Sequence, residues 1–224
     1  MKQDVYLIGD IHGKFNQLIE LLRRFSIQDS ILVCVGDFGI GFEKTFDAEM
    51  AILDYINKQM ISSGNTFHVI RGNHDDPKYF SKEMEDMDFS QLKFIDYNSF
   101  ELAGYKTLFV GAAISIDRSG RKEGKATSPI PTDLPNDIFE LIITHNAPSF
   151  INHSSNNLYD EPGNPVKTDV LNDRKILDDL YERQKKTVKQ WFYGHFHNSQ
   201  FMNLENTLFR CLDELEIKQL QPKS

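Results

Sequence analysis

The stretch that decides the fold is "DVYLIGDIHG", Asp4 to Gly13, in which a short apolar run ends in a Gly-Asp pair. A helical pattern follows directly, because Leu18, Leu21 and Phe25 recur at the spacing of one helix face. The stretches "SILVCVGD" and "TFHVIRGNHDD" repeat this design, each an apolar run closed by glycine and polar residues. We therefore predict successive βα units whose strand ends meet at one sheet edge, where open α/β sheets bind ligands.

The second half of the chain predicts antiparallel strands as well. The stretch "SFELAGYKTLFVGAA" is typical of a hairpin that turns near Gly104, and "QFMNLENTLFRCLDELEIKQLQ" is typical of closing antiparallel strands. Between them, "IFELIITHNAP" and "KQWFYGHFH" predict strands that end in histidine, with a helix in "DVLNDRKILDDLYERQKK". We expect an α/β fold with mixed sheets in one domain over residues 1–224. The polar stretches 116–137 and 147–167 are candidate substrate-facing loops.

Composition narrows the class of protein. The 224 residues are 40% hydrophobic and 26% charged, as in ordinary globular proteins. With 25 basic and 33 acidic residues, the net charge of −8 disfavours nucleic acid and anionic lipid unless a local patch or a metal reverses the field. The two cysteines, Cys34 and Cys211, lie in apolar runs and are expected to be buried thiols. No apolar segment approaches a membrane span, so we expect a cytoplasmic protein without a membrane partner.

Polar residues that can bind metal ions follow the predicted strands. They are Asp10, His12, Asp37, Asn73, His145, His195 and His197. The period-2 spacing of an extended chain predicts that Asp10 and His12 project to one side, as do His195 and His197. Imidazole with carboxylate suits Mn²⁺, Fe²⁺ and Zn²⁺, and this set is too large for one ion. We therefore expect two divalent ions, with Mn²⁺ first and Fe, Zn or Mg as alternatives.

The ordered motifs D-x-H, GD, GNH-[DE], H and GH-x-H, over positions 10 to 197, resemble the calcineurin-like metallophosphoesterase superfamily, in its small single-domain bacterial or phage type. The resemblance implies an α/β/β/α sandwich with two mixed β-sheets and a dinuclear metal site at the C-terminal ends of the strands. It also implies hydrolysis of phosphomonoesters or phosphodiesters by in-line attack of a metal-bridging hydroxide.

Matching motif to motif, the resemblance implies a ligand set for each ion. One ion would be held by Asp10, His12, Asp37 and His197, and the other by Asp37, Asn73, His145 and His195. Asp37 would bridge them, and His74 would donate a proton to the leaving group. The charge of two such ions would give this acidic protein a local cationic pocket for a phosphoryl group.

The chain departs from the phosphoprotein phosphatase motif GD-x-x-D-R-G. Its "GDFGIGF" places Ile40 and Gly41 at the acidic and arginine positions. The arginine that clamps phosphate is therefore missing there, as is the carboxylate that orients the proton donor. The residues that could substitute for them are Asp75, Asp76, Arg118 and Arg121.

Other histidines and aromatic residues have plainer interpretations. His68 lies within a predicted strand and is expected in the core, whereas His153 lies in a loop and is a candidate for a role near substrate. The residues expected to pack in the core or against helices are Phe42, Phe46, Trp191 and Phe192.

Several functions stay open alongside a metal-dependent phosphoesterase. A non-catalytic scaffold could keep the same fold, but every expected ligand and His74 are present. A nuclease is disfavoured by the acidic composition and by the lack of a long basic stretch with aromatic residues, so nucleic acid is expected only as a small nucleotide substrate. The partner expected is thus a phosphate ester substrate, and the oligomeric state is open.

Overall fold

The structure is a computed structural model that describes residues 3–80, 89–114, 127–153 and 165–223. Its helices are α1 (Phe15–Arg24), α2 (Phe46–Ser63) and α3 (Pro165–Gln184), and a 3₁₀ turn covers Pro77–Phe80. Its strands are β1 (Val5–Ile8), β2 (Ile31–Cys34), β3 (Thr66–Ile70), β4 (Leu92–Ile95), β5 (Tyr97–Leu102), β6 (Tyr105–Val110), β7 (Ala113–Ile114), β8 (Thr127–Ser128), β9 (Leu141–Thr144), β10 (Gln190–Tyr193), β11 (Gln200–Leu204), β12 (Thr207–Cys211) and β13 (Ile217–Leu220). Of the two candidate loops, only residues 127–137, 147–153 and 165–167 are described, and Arg118 and Arg121 lie outside the described residues.

The first sheet has the order β13-β1-β2-β3-β4. Strands β1 to β4 pair in parallel, and β13 closes the edge antiparallel to β1. The βα units predicted at the N-terminal end of the chain build this sheet, because a parallel pair needs a crossover such as α1 or α2. The C-terminal ends of β1, β2 and β3 consequently lie side by side.

The second sheet has the order β11-β12-β10-β9-β6-β5. Its centre is parallel, from β12 through β10 and β9 to β6, and both edges are antiparallel. The β5–β6 hairpin turns at Ala103 and Gly104, both with positive φ, as expected from the glycine at this position. Strands β7 and β8 form a separate antiparallel pair.

Three apolar clusters show how the layers stack. Val5, Val33 and Ile70 of the first sheet meet Phe109 and Ile143 of the second, so the two sheets pack face to face. On the outer face of the first sheet, α1 and α2 contribute Leu18, Ile19, Leu22, Leu53, Ile56 and Met60. On the outer face of the second sheet, α3 contributes Leu177, Leu180 and Tyr181. The arrangement is an α/β/β/α sandwich with mixed sheets, which confirms the fold expected from sequence.

The ends of α2 follow local chemistry. The Thr45 hydroxyl accepts the Ala48 N–H at the start of the helix, and Gly64 ends it at a φ of 69°, in the left-handed region. Leu53, Ile56 and Met60 recur at helical spacing and are buried, whereas Phe46 is 50% exposed.

The predicted core residues divide into two sets. Trp191 and Phe192 are buried on β10, and both cysteines are buried free thiols, as expected. Phe42 and Phe46 were predicted to pack in the core or against helices, and a core position is wrong, because they are 60% and 50% exposed. Phe42 lies on the segment that leads from β2 into α2, and Phe46 is the first residue of α2. Among the described residues, no helix has both the length and the apolar character needed to cross a lipid bilayer.

Candidate metal centre

The candidate ligands lie in turns beyond the strand ends and not on the strands. Strand β1 ends at Ile8 and β10 at Tyr193, before the D-x-H and GH-x-H motifs. His12, Asp37, His195 and His197 have φ values of 49°, 48°, 70° and 47°. Strand alternation therefore does not explain why the side chains converge, and left-handed backbone turns do. Non-glycine residues seldom adopt this conformation, which is found preferentially at functional sites.

The turns bring the candidate ligands into two groups, and within each group one atom of every side chain lies within 4.8 Å of the others. The first group is Asp10, His12, Asp37 and His197, and the second is Asp37, His145 and His195. Asp37 belongs to both. His195 and His197 fall into different groups although a single residue separates them in the chain.

In the first group, the nitrogen and oxygen atoms face one another closely. His12 Nε2 lies 2.9 Å from His197 Nε2, and His197 Nε2 lies 3.2 Å from Asp10 Oδ2. His12 Nε2 also lies 3.7 Å from Asp37 Oδ2. Asp10 is fully buried and its carboxylate accepts the His195 N–H at 2.9 Å, so the two groups are linked through the backbone as well.

In the second group, Asn73 lies between the two imidazoles. Its Oδ1 is 2.9 Å from His145 Nε2 and 2.7 Å from His195 Nδ1. His145 Nδ1 donates to the Val35 carbonyl at 3.0 Å, which directs Nε2 towards Asn73 and Asp37. A histidine that ligates a metal commonly donates its other ring N–H in this way. The second group thus contains the three protein oxygens and nitrogens, besides Asp37, that the resemblance implies for one ion.

Two glycines make room for these side chains. A Cβ on Gly36, which has a φ of 117°, would lie 2.1 Å from His145 Nδ1. A Cβ on Gly194 would lie 2.0 Å from Asp10 Oδ1. The glycines in the "GD" and "GH" motifs are therefore required because a ligand that follows a strand of the other sheet approaches each of them closely.

Burial and charge set the protonation of the centre. Burial would raise the pKa of Asp37. The positive charge of nearby histidines outweighs burial and holds that pKa well below the usual range, with His145 contributing most, followed by His74 and His12. Burial lowers the pKa of His145, yet Asp37 raises it overall, to about 9. Burial also raises the pKa of Asp10 and lowers that of His195. A divalent cation would replace the proton that Asp37 holds on His145 and would stabilise ionised Asp10, so the residues present fit such an ion.

His74 lies beside the first group. Its backbone N–H donates to Asp37 Oδ1 at 2.7 Å, and its ring centroid lies 5.0 Å from that of His12. The residue sits in the turn after β3, so its side chain is directed by the turn and not by strand alternation. The arrangement holds an imidazole next to the candidate ligands.

Asp75 has a structural contact that the sequence did not reveal. Its buried carboxylate accepts the backbone N–H groups of Phe38, Gly39, Ile40 and Gly72, at distances of 2.7 to 3.2 Å. It therefore joins the loop after β2 to the loop after β3, and these contacts do not support the suggestion that Asp75 orients the proton donor. Asp76 accepts the Lys78 N–H and lies 3.7 Å from the Lys78 ammonium.

The two positions that depart from the phosphoprotein phosphatase motif do not suit its side chains, because one is buried among apolar residues and the other has no space for a side chain. Ile40 is fully buried in the core under the first sheet. Gly41 has a φ of 90°, and a Cβ there would lie 2.3 Å from the Cβ of Asp76. An arginine at position 41 would strain the backbone and displace the turn after β3.

The sequence analysis missed Glu214 and Lys14. Glu214 follows β12, and its Oε1 lies 3.5 Å from His197 Nδ1 and 4.0 Å from His12 Nε2. The Lys14 ammonium forms an ion pair with Glu214 and holds the pKa of that carboxyl below its usual range. The only sequence signal was Lys14 directly after "DIHG", since Glu214 approaches the centre from 200 residues away along the chain.

Neither His68 nor His153 belongs to the two groups of candidate ligands. His68 is half-buried on β3 with its ring 5.2 Å from that of Phe100, and burial lowers its pKa to about 4. His153, predicted as a candidate near substrate, is buried and stacks on Phe196 with ring centroids 3.6 Å apart. Phe196 separates His195 from His197, so His153 supports the turn that carries these ligands.

Comparisons with known proteins agree with this geometry. A family model described as calcineurin-like phosphoesterase matches residues 4–199. A dimetal phosphatase from Danio rerio superposes with a TM-score of 0.53 and 14% identity, covering 95% of this chain and 88% of that one. A phosphopantetheinyl hydrolase from Mycobacterium tuberculosis superposes with a TM-score of 0.52 and 14% identity, covering 99% and 97%. At these identities the two structures support the fold alone.

A search of curated proteins finds no significant match. The family model nevertheless spans the motifs from Asp10 to His197, which are the residues that the turns at the strand ends bring together. A sandwich of two mixed sheets carries them, as the matched family requires. On this match, the chain belongs to the calcineurin-like phosphoesterase family.

Proposed function

We propose that this protein hydrolyses phosphate monoesters or diesters with two divalent metal ions at the candidate centre. The observation that carries the proposal is the pair of ligand groups that share Asp37, next to the imidazole of His74. Membership of a phosphoesterase family supports the same reaction class. A single domain over residues 1–224 and a cytoplasmic location remain predictions.

We assign Asp10, His12, Asp37 and His197 to one ion and Asp37, Asn73, His145 and His195 to the other. Two divalent ions held there would supply positive charge for the phosphoryl oxygens and would make a water nucleophile more acidic. Mn²⁺ is the ion we propose first, because mixed imidazole and carboxylate ligands suit it, with Fe, Zn or Mg as alternatives. The histidine and asparagine ligands would bind as neutral groups. Among the assigned ligands, only the carboxylates of Asp10 and Asp37 would therefore offset the positive charge of the ions.

The chain's own residues orient the reacting groups. Asp37 Oδ1 accepts the backbone N–H of His74 at 2.7 Å. This hydrogen bond links the main chain of the proposed proton donor to the carboxylate shared by both groups. Asp75 fastens the two loops that carry Asp37 and His74 through its contacts with backbone N–H groups. These contacts hold the backbones of the two loops together.

We assign His74 the transfer of a proton from its ring to the leaving-group oxygen. A general acid is effective when it lies within hydrogen-bond reach of that oxygen, and its effect is greatest for a poor leaving group. His74 lines a cleft that opens beside His12, so it faces space in which a leaving group can be accommodated.

The alternatives receive less support from the same residues. Phosphoprotein phosphatase activity would need a phosphate clamp from elsewhere, because Ile40 is buried and Gly41 has no space for a side chain. A nuclease would need to bind a polyanion with a chain of net charge −8. A non-catalytic scaffold would have no use for two complete ligand groups beside His74.

The test is hydrolysis of 4-nitrophenyl phosphate and bis(4-nitrophenyl) phosphate by protein that has been stripped with a chelator and then reloaded with Mn²⁺. We expect activity that disappears on chelation and returns with metal. Asp37→Asn should abolish it, whereas Asp54→Asn, on the exposed surface of α2, should not. Activity that is indifferent to exhaustive chelation would refute the two-metal mechanism.

A further inference from the structure

A cleft of about 260 Å³ opens beside the first ligand group. His12 and His74 line the cleft, and the rest of its lining comes from the start of α1, the segment that leads from β2 into α2, and α2 itself. The proposed proton donor therefore borders the cleft, whereas the shared carboxylate, Asp37, is not among its lining residues. In an in-line displacement the leaving group departs opposite the attacking water, on the side of the proton donor.

Besides the two histidines, the lining of the cleft combines apolar and acidic side chains. Phe15, Phe42 and Ile52 are the apolar ones, and the exposed ring of Phe42 is an aromatic surface at the cleft and not in the core. Glu43 and Glu49 are the acidic ones. An aromatic face next to carboxylates is suited to a cation, because both attract positive charge.

Glu49 is the more informative of the two glutamates. Its side chain is only 3% exposed, and its Oε2 accepts the Glu43 N–H at 3.1 Å. Neither glutamate forms an ion pair with any residue that the structure describes. Buried carboxylates are almost always paired, because an uncompensated charge is costly to remove from water. A positively charged ligand in the cleft would supply the opposite charge that Glu49 does not meet among the described residues.

The size of the cleft restricts the ligand. Pockets for drug-sized molecules are about 300 to 1,000 Å³, so this cleft is suited to roughly one ring or a short chain. A second phosphate in the leaving group, as in a nucleoside polyphosphate, would meet the two carboxylates and be repelled.

We propose that this cleft binds the leaving group of the substrate and selects a small apolar or aromatic alcohol that carries an ammonium group. The preferred substrates are thus phosphate esters of amino alcohols, and Glu49 and Glu43 are the residues that determine this specificity. The inference rests on the proposed function, since a leaving-group site has meaning only if the centre hydrolyses phosphate esters.

The test compares three benzyl phosphates that differ only at the para position, with an aminomethyl, a methyl or a carboxylate group. Each is prepared both as the monoester and as the methyl diester, and kcat/KM is measured with Mn²⁺ present. Nitrophenyl esters are assayed in parallel as a control for hydrolysis. The benzyl alcohols are similar leaving groups, so differences report the cleft. We expect the aminomethyl ester to exceed the methyl ester by about tenfold or more, and the carboxylate ester to be the poorest.

Glu49→Gln keeps an acceptor for the Glu43 N–H and removes the charge, so the aminomethyl-to-methyl ratio should fall towards one. Glu43→Gln should lower the same ratio, which keeps the test decisive if the Glu49 variant does not fold. Glu20→Gln, on the exposed face of α1, is the matched control and should retain the ratio.

Different results would overturn the cleft inference and the proposed function. Hydrolysis of nitrophenyl esters with equal kcat/KM for the three benzyl esters, or an unchanged ratio in both variants, overturns the cleft inference alone. Absence of hydrolysis of every ester overturns the proposed function and the cleft inference with it.

Discussion

Glu214 should strengthen the binding of one metal ion without being its ligand. Its Oε1 lies 3.5 Å from His197 Nδ1, while His197 Nε2 faces Asp10 and His12. A carboxylate at Nδ1 fixes the tautomer that leaves Nε2 free to bind metal and raises its basicity. Glu214→Gln keeps the shape of the side chain but removes the charge that favours this tautomer.

The expected magnitude follows from the exposure of the pair. Loss of such a partner commonly weakens metal binding by about 10- to 100-fold, or about 1.4 to 2.8 kcal/mol. The side chains of His197 and Glu214 are 42% and 31% exposed, so solvent screens their interaction and the lower end of that range applies. We expect about tenfold weaker binding of one ion, because Glu214 contacts only the first ligand group.

Competition with a fluorescent chelator, titrated with Mn²⁺ and with Zn²⁺, measures the two binding steps without any need for substrate. One step should weaken in Glu214→Gln and neither should change in Glu205→Gln, a control in the turn between β11 and β12. Two unchanged steps would refute the assignment. Equal weakening of both steps would indicate a general effect on the fold and would refute it as well.

The other predictions concern the shared carboxylate, the proton donor and a buried histidine. Asp37→Asn removes charge from both ligand groups, so elemental analysis should find one ion or none per chain, and two retained ions would show that Asp37 is not the bridge. His74→Asn should keep the metal content and lower hydrolysis of alkyl esters by about 10² to 10⁴, with a smaller loss for nitrophenyl esters, whose leaving group needs little protonation. Equal losses for both ester types would contradict a role as proton donor. Burial lowers the pKa of His153 from 6.5 to about 4, so the unfolded chain binds more protons and stability should fall as the pH drops from 6.5 towards 4. Between pH 7 and pH 5 this amounts to about 1 to 2 kcal/mol after allowance for solvent screening. Urea unfolding of His153→Phe, which preserves an aromatic ring against Phe196, should show a flatter pH profile, and an unaltered profile would contradict the interpretation.

Apolar runs that end in glycine and polar residues were sufficient to predict parallel strands with their C-terminal ends at one edge. The residue types at those ends, carboxylate, amide and imidazole, were sufficient to predict which side chains form the two groups of candidate ligands. Both inferences depend on local patterns, because a run such as "SILVCVGD" contains the strand, its end and the polar residue together. The prediction that strand alternation aligns His195 and His197 was wrong, because both residues have left-handed backbone conformations in a turn.

Only the tertiary structure decided which atoms meet and which side chains remain exposed. Glu214 reaches His197 because β13 pairs with β1 and brings the turn after β12 to the first ligand group. Phe42 is exposed at the cleft although its neighbourhood in sequence is apolar, and Gly41 is restricted by Asp76 from another loop. These contacts join residues that are far apart in the chain, and their geometry depends on sheet order and backbone turns. Hydrophobic periodicity reports how a segment faces the core, but it carries no information on which distant segment lies next to it.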